Sequence, residues 1–200
     1  APERFHKVRV NPRRPKVFKE VRRVKRNPAE TDVLLCFDRS GSMEGKKETL
    51  AKGIAGAVVL ALAAVPQARV RLLAFESSVE LVLTGAPLPP ERVLALVAGG
   101  LRARGGTNLP LAFRQAIRLL EDSTSPRRLA LLLTDGDTSG VYSLPDLMEL
   151  AGARGVDFLC IGIPEADPGK LQQTFGEKAL YVADLSSLPE EIARVLPKVV

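Results

Sequence analysis

The feature that most constrains this chain is an apolar run followed at once by a polar loop. Residues 33–37, VLLCF, form an unbroken apolar segment, typical of a strand buried on both faces of a parallel sheet. The next five residues, DRSGS, place oxygen-bearing side chains at alternate positions, namely Asp38, Ser40 and Ser42. Mg²⁺ prefers carboxylate and hydroxyl oxygens, and Gly41 permits a turn tight enough for these oxygens to converge. The loop therefore predicts a cation site.

Two later segments carry the same kind of chemistry. Residues 105–108, GGTN, form a glycine turn that presents the hydroxyl of Thr107 just before a helical pattern. Residues 129–134, LALLLT, are a second buried-strand run, and Asp135 follows it directly. In an open α/β sheet, ligands bind at the edge formed by the carboxyl ends of the strands. We therefore expect Thr107 and Asp135 to join the first three oxygens.

Helical and strand patterns alternate along the rest of the chain. Strands are predicted at 33–37, 70–75, 79–83, 129–134, 156–161 and 179–182, and helices at 46–65, 89–97, from 108 onward, 143–153, 168–175 and 188–196. Gly99 and Gly100 are expected to end the second helix, and Asn108 to cap the third. This order predicts an α/β, doubly wound fold with a mostly parallel six-stranded sheet, one antiparallel edge strand and helices on both faces.

Together these motifs resemble the von Willebrand factor A domain, also called the integrin I domain, over residues 31–200. That family's metal-ion-dependent adhesion site reads Asp-x-Ser-x-Ser, then a Thr in a loop, then an Asp after a later strand. The matching residues here are Asp38, Ser40, Ser42, Thr107 and Asp135. The resemblance implies that they bind Mg²⁺ or Mn²⁺, and that a partner protein supplies an Asp or Glu to the metal. Residues 1–30 would then be a basic arm or linker.

The arginine-rich lead into LLCFDRSGSM is similar to that of bacterial intracellular members, such as magnesium-chelatase D-type subunits and proteins paired with AAA-type ATPases. This implies a metal-dependent protein-interaction module in an ATPase-linked assembly or a cofactor-insertion complex. The polar, basic start of the chain is unlike a signal peptide, so we expect a cytoplasmic location without membrane contact. In the family's sheet, the strands holding Cys36 and Cys160 are separated by a third, which implies free thiols.

The net charge of +6 is unevenly distributed. Residues 1–28 contain eleven Lys or Arg and two acidic residues, whereas the remainder contains 18 basic and 21 acidic residues. The basicity therefore belongs to the arm. The arm either packs on its own domain or docks a partner. If it docks nucleic acid, the chain is a nucleic-acid or ribonucleoprotein factor with the A domain as its scaffold.

Enzyme signatures are incomplete, so we expect no catalytic activity. The sole histidine, His6, lies in the arm, and no nucleophile and base pair can be recognised. Residues 131–138, LLLTDGDT, are similar to a haloacid-dehalogenase motif, but Thr138 falls one position early. Residues 41–47 lack the spacing of a phosphate-binding loop, because three residues separate the glycines and Lys47 follows the first lysine.

Overall fold

The fold was obtained as a computed structural model, which describes residues 31–63, 68–80, 88–136, 144–163 and 166–182. Its strands are β1 (Thr31–Asp38), β2 (Ala68–Phe75), β3 (Val79–Glu80), β4 (Arg127–Thr134), β5 (Asp157–Gly162) and β6 (Ala179–Tyr181). Its helices are α1 (Lys46–Ala63), α2 (Pro90–Gly100), α3 (Leu109–Glu121), α4 (Leu144–Ala153) and α5 (Pro168–Phe175). Two short 3₁₀ turns cover Gly41–Met43 and Gly176–Lys178.

All strands join one sheet in the order β3-β2-β1-β4-β5-β6. Strands β1, β2, β4, β5 and β6 pair in parallel, whereas the two-residue β3 pairs antiparallel to β2 at the edge. Every residue of β1 is buried, as its apolar run predicts for a central strand. The sheet therefore has β1 and β4 side by side at its centre.

The helices complete a doubly wound arrangement. The chain leaves β1 for β2 on one side and later crosses back past β1 to β4, so right-handed crossovers put α1 and α3 on opposite faces. Helix α1 packs against α2, and α3 packs against α4. On the α3 side, Phe113 stacks on Phe158 at 4.2 Å between ring centroids and on Phe175 at 6.2 Å. The predicted α/β doubly wound fold, a parallel sheet flanked by helices, is confirmed.

Several local predictions can be compared with the structure. The N-cap at Asn108 is confirmed, because its Oδ1 accepts the Leu111 N–H at 3.1 Å. The second helix, predicted over 89–97 with Gly99 and Gly100 ending it, is α2; it ends at Gly100 as predicted, but it includes both glycines, and the chain leaves the helix at the buried Leu101. The predicted helix at 188–196, the arm, and most of the predicted edge strand at 79–83 lie outside the described residues.

The two cysteines lie in the same register across the sheet. Cys36 of β1 and Cys160 of β5 both pair with Leu132 of the intervening β4. Two strand steps separate the thiols by about 9.6 Å, too far for a disulfide. Both thiols are buried and free, as expected, and burial raises their pKa. None of the helices within the described residues is long and apolar enough to cross a membrane.

A buried polar cluster closes the amino end of the central strands. Asp32 is fully buried, and its Oδ2 accepts hydrogen bonds from Arg71 Nη2 at 2.6 Å and from the Ser123 hydroxyl at 2.5 Å. Arg71 also donates through Nη1 to the Leu119 carbonyl at 3.2 Å. These bonds join β1, β2 and the end of α3. The cluster therefore fixes the edge of the sheet opposite the predicted metal loop, residues 38–45 between β1 and α1.

Candidate metal centre

The predicted site lies where the two central strands end. Asp38 is the last residue of β1, and Asp135 follows Thr134, the last residue of β4. Since β1 and β4 are adjacent and parallel, both carboxylates reach the same edge of the sheet. The chain turns to opposite sides after these two strands, so this is the topological switch point where α/β folds bind ligands.

Asp38 is held by hydrogen bonds in a buried setting. Its Oδ1 accepts the Ser40 N–H at 2.9 Å, and its Oδ2 accepts the Thr134 hydroxyl at 2.7 Å. Burial raises the pKa of this carboxyl, the hydrogen bonds from Thr134 and Ser40 oppose the rise, and the nearby charge of Asp135 adds to it. A cation beside Asp38 would therefore relieve both desolvation and carboxylate repulsion.

The serine hydroxyls converge through the 3₁₀ turn that follows. Ser40 is buried, and its Oγ lies 2.9 Å from the Oγ of Ser42. Met43, at the end of the turn, is fully buried and anchors the turn to the core. The turn thus positions two hydroxyl oxygens next to the Asp38 carboxylate, as the alternate spacing predicts.

The loop that carries Thr107 is hydrogen-bonded to this turn. The Gly41 N–H donates to the Gly105 carbonyl at 2.9 Å, and Gly105 has a φ of 71°, in the left-handed region that favours glycine. Buried Arg39 strengthens the connection, because its Nε donates to the Arg102 carbonyl at 3.1 Å and its own carbonyl accepts the Arg104 N–H at 2.6 Å. These bonds hold residues 102–105 against the metal loop, and Thr107, which is partly buried, lies two residues beyond Gly105.

Asp135 contacts a cation of the chain itself. Its Oδ2 accepts a hydrogen bond from Lys47 Nζ at 2.8 Å, and the Asp135 side chain is 0% exposed. Lys47 lies in the first turn of α1, directly after the metal loop. A buried carboxylate without a counter-charge is unfavourable, so this ion pair compensates the burial of Asp135.

Comparison with known families identifies the chain's family. The model of the von Willebrand factor type A domain matches residues 32–194, which is most of the chain. The chain belongs to this family. No curated protein matches the A domain significantly.

Solved structures share the same fold at low sequence identity. The A domain superposes on a von Willebrand factor type A protein from Catenulispora acidiphila with a TM-score of 0.67 and 22% identity, covering 86% of this chain and 43% of that one. It therefore spans less than half of that protein. The vWF domain of the type V pili tip protein Mfa5 from Porphyromonas gingivalis gives a TM-score of 0.69 at 11% identity, covering 86% and 96%.

A third relative was solved with a metal bound. The manganese-loaded TRAP protein of Plasmodium vivax superposes with a TM-score of 0.64 at 17% identity, covering 82% of this chain and 72% of that one. At such identities these likenesses establish the shared fold alone.

The donor chemistry of this A domain fits a hard divalent ion. Within the described part of the chain, no group of three or more His, Cys, Asp or Glu could hold a metal, so a site rich in nitrogen or sulfur ligands is not found there. The oxygens of Asp38, Ser40 and Ser42 are of the type that Mg²⁺ and Mn²⁺ accept. The ammonium of Lys47, which donates a hydrogen bond to Asp135, indicates that this edge of the sheet favours positive charge.

Sequence reasoning missed two residues of the site. Thr134 reads as the end of an apolar strand, but its hydroxyl donates to Asp38, and the strand register alone could have indicated that contact. Lys47 reads as one of several solvated helix residues, yet it contacts a carboxylate 88 residues away in the chain. Arg39, between Asp38 and Ser40 in the sequence, is buried and contacts the loop that carries Thr107.

Gly41→Ala is expected to disturb this centre. A Cβ at residue 41 would lie 3.1 Å from the Gly105 carbonyl oxygen, so the Thr107 loop would have to move by a few tenths of an ångström. We expect the free energy of unfolding to fall by about 1 kcal/mol. The free energy of Mg²⁺ binding should fall by more than that. Urea unfolding and calorimetric titration would measure the two effects. The exposed Gly99, where a Cβ meets nothing within 4 Å, provides the matched control as Gly99→Ala.

Proposed function

We propose that this A domain is a divalent-metal-dependent protein-interaction module in which Asp38, Ser40, Ser42, Thr107 and Asp135 hold Mg²⁺ or Mn²⁺. The main support is the convergence of a buried carboxylate and two hydroxyls, 2.9 Å apart, at the switch point of the sheet. A core position would favour apolar side chains there, and a catalytic centre would need a nucleophile with a base. The function we propose is therefore binding, not catalysis.

The chemistry of such a site suits an acidic partner. Two carboxylates and several neutral hydroxyls leave part of the charge of a divalent ion uncompensated, and Mg²⁺ retains positions that water or another oxygen ligand can fill. An Asp or Glu side chain of a partner protein can occupy one of those positions. We propose that the partner belongs to an ATPase-linked assembly or a cofactor-insertion complex. This proposal follows the similarity of the metal-loop sequence to that of bacterial intracellular A domains.

The double variant Ser40→Ala, Ser42→Ala tests this function. Wild-type and variant proteins would be immobilised and exposed to extract of the source cells, with Mg²⁺ or with a chelator, and the captured proteins identified by mass spectrometry. We expect a partner that is captured by the wild type only when the metal is present and that is lost in the variant. The matched control is Ser125→Ala, which removes a buried hydroxyl just before β4, at the opposite edge of the sheet.

Equal capture by wild type and double variant, with or without Mg²⁺, would contradict the proposal. The second candidate function, binding of nucleic acid, would then be favoured, because residues 1–28 carry eleven basic and two acidic residues. A nucleic-acid factor that uses this arm would lose affinity steeply as salt rises, and deletion of residues 1–28 would abolish its binding. Binding of a labelled oligonucleotide at several salt concentrations separates the two candidates.

A further inference from the structure

One cation of the chain occupies a predicted metal ligand. Lys47 Nζ lies 2.8 Å from Asp135 Oδ2; the lysine side chain is 28% exposed, whereas that of Asp135 is completely buried. The neighbouring Lys46 is exposed on the same turn of α1. The ion pair joins the first turn of α1 to the residue after β4. The packing of these two elements therefore places the ammonium of Lys47 at the predicted site.

A divalent ion and this ammonium have conflicting requirements. Both seek the oxygens of a buried carboxylate, and like charges that share one partly buried site repel each other strongly because screening by water is weak there. Binding of the metal through Asp135 therefore requires Lys47 to withdraw from that carboxylate. Because Lys47 is partly exposed, its flexible side chain can swing into solvent without disturbing the core.

We propose that Lys47 is an internal competitor of the metal: it neutralises Asp135 in the metal-free protein and is displaced when the ion binds. This inference rests on the proposed metal site and adds a regulatory element to it. The contact lowers the affinity of the A domain for the ion. Any ligand that draws Lys47 away from Asp135, such as an acidic partner surface, would strengthen metal binding.

Substitution of Lys47 tests the competition. Lys47→Met removes the charge and retains much of the side chain's length, so we expect Mg²⁺ to bind about tenfold more tightly than to the wild type. The same variant should be less stable without metal, because Asp135 loses its counter-charge, and should gain more stability from Mg²⁺ than the wild type does. Lys47→Arg keeps the charge and should retain an affinity near that of the wild type.

Lys46→Met is the matched control. It removes one positive charge from the adjacent, exposed position, so any general charge effect on the affinity appears there too. If Lys47 were only structural, Lys47→Met would bind Mg²⁺ more weakly than the wild type. Loss of a structural contact lowers stability and weakens metal binding together. Isothermal titration calorimetry with Mg²⁺ measures all four proteins, and thermal unfolding with and without Mg²⁺ gives the stabilities.

A measurement on the wild-type protein tests the competition even if a Lys47 variant does not fold. Reductive methylation with formaldehyde, read by mass spectrometry, reports how accessible each lysine is. Mg²⁺ should increase modification of Lys47 and leave Lys46 unchanged. If the wild type binds Mg²⁺ but neither the affinity of Lys47→Met nor the modification of Lys47 changes as expected, the competitor is excluded and the metal site stands. If no protein binds Mg²⁺ or Mn²⁺, both proposals fail.

Discussion

Asp38→Asn is expected to lower Mg²⁺ affinity at least 100-fold while leaving the metal-free A domain as stable as the wild type or more so. A neutral amide is a much weaker ligand for a hard cation, and a loss of ~2.7 kcal/mol corresponds to that factor. The side chain keeps its shape, and both hydrogen bonds can still form, the one to Thr134 with its direction reversed. The amide oxygen can accept the Ser40 N–H, and the amide nitrogen can donate to the Thr134 hydroxyl.

The stability effect has a defined pH dependence. Burial raises the pKa of Asp38, so in the wild type the charged carboxylate opposes folding at pH values above its folded pKa. That unfavourable contribution disappears as the pH falls and the carboxyl becomes protonated in the folded state first. The advantage of Asp38→Asn should therefore be largest near neutral pH and vanish below the pKa of an unfolded Asp. Calorimetry and chelator-treated urea unfolding at several pH values would test both parts.

Two results would contradict this account of Asp38. Retention of wild-type Mg²⁺ affinity by Asp38→Asn would exclude the carboxylate as a ligand. A large loss of metal-free stability would mean that its hydrogen bonds outweigh its desolvation. The matched control is Asp146→Asn in the first turn of α4, an exposed carboxylate on another element.

Asp32→Ala should produce the largest loss of stability, about 3–5 kcal/mol, because it leaves the mostly buried charge of Arg71, whose side chain is 13% exposed, without its counter-ion. The same change removes the acceptor of the Ser123 hydroxyl. A loss of that size is a large part of the total stability of an ordinary domain. Mg²⁺ affinity should be unchanged in the folded protein, since Asp32 and Asp38 lie six residues, about 20 Å, apart along β1.

Glu121→Ala provides the comparison for Asp32. Glu121 pairs with Arg154, but these side chains are 41% and 48% exposed, so loss of the pair should cost less than about 1 kcal/mol. Urea unfolding followed by circular dichroism would measure both variants. Equal effects of Asp32→Ala and Glu121→Ala would show that the buried cluster contributes no more than a surface ion pair.

Local sequence patterns predicted most of the sheet and the main loop. The apolar run before Asp38 identifies a central strand because side chains on both faces of such a strand are covered, and β1 is indeed buried throughout. The alternate spacing of Ser40 and Ser42 predicted converging hydroxyls, since a tight turn after a strand brings such side chains together. These predictions succeed because they depend only on residues that are close together in the sequence.

The features that were missed depend on distant residues. Lys47 and Asp135 are 88 positions apart, so only the packing of α1 beside β4 brings them into contact. The pairing of Asp32 with Arg71 similarly requires the register of β1 against β2. Gly99 and Gly100 end α2 as predicted, but they lie within its last turn, because an exposed helix end tolerates glycine when the chain beyond it is anchored by a buried side chain, here Leu101.

Anomalous X-ray diffraction from crystals of the wild-type protein grown with Mn²⁺ would test the central claim most directly. We predict one strong manganese peak at the carboxyl ends of β1 and β4, bound to oxygens of Asp38, Ser40 and Ser42, with Lys47 withdrawn from Asp135. No peak at this edge of the sheet, or a peak held only by other residues, would contradict a metal-dependent function at this site of the A domain.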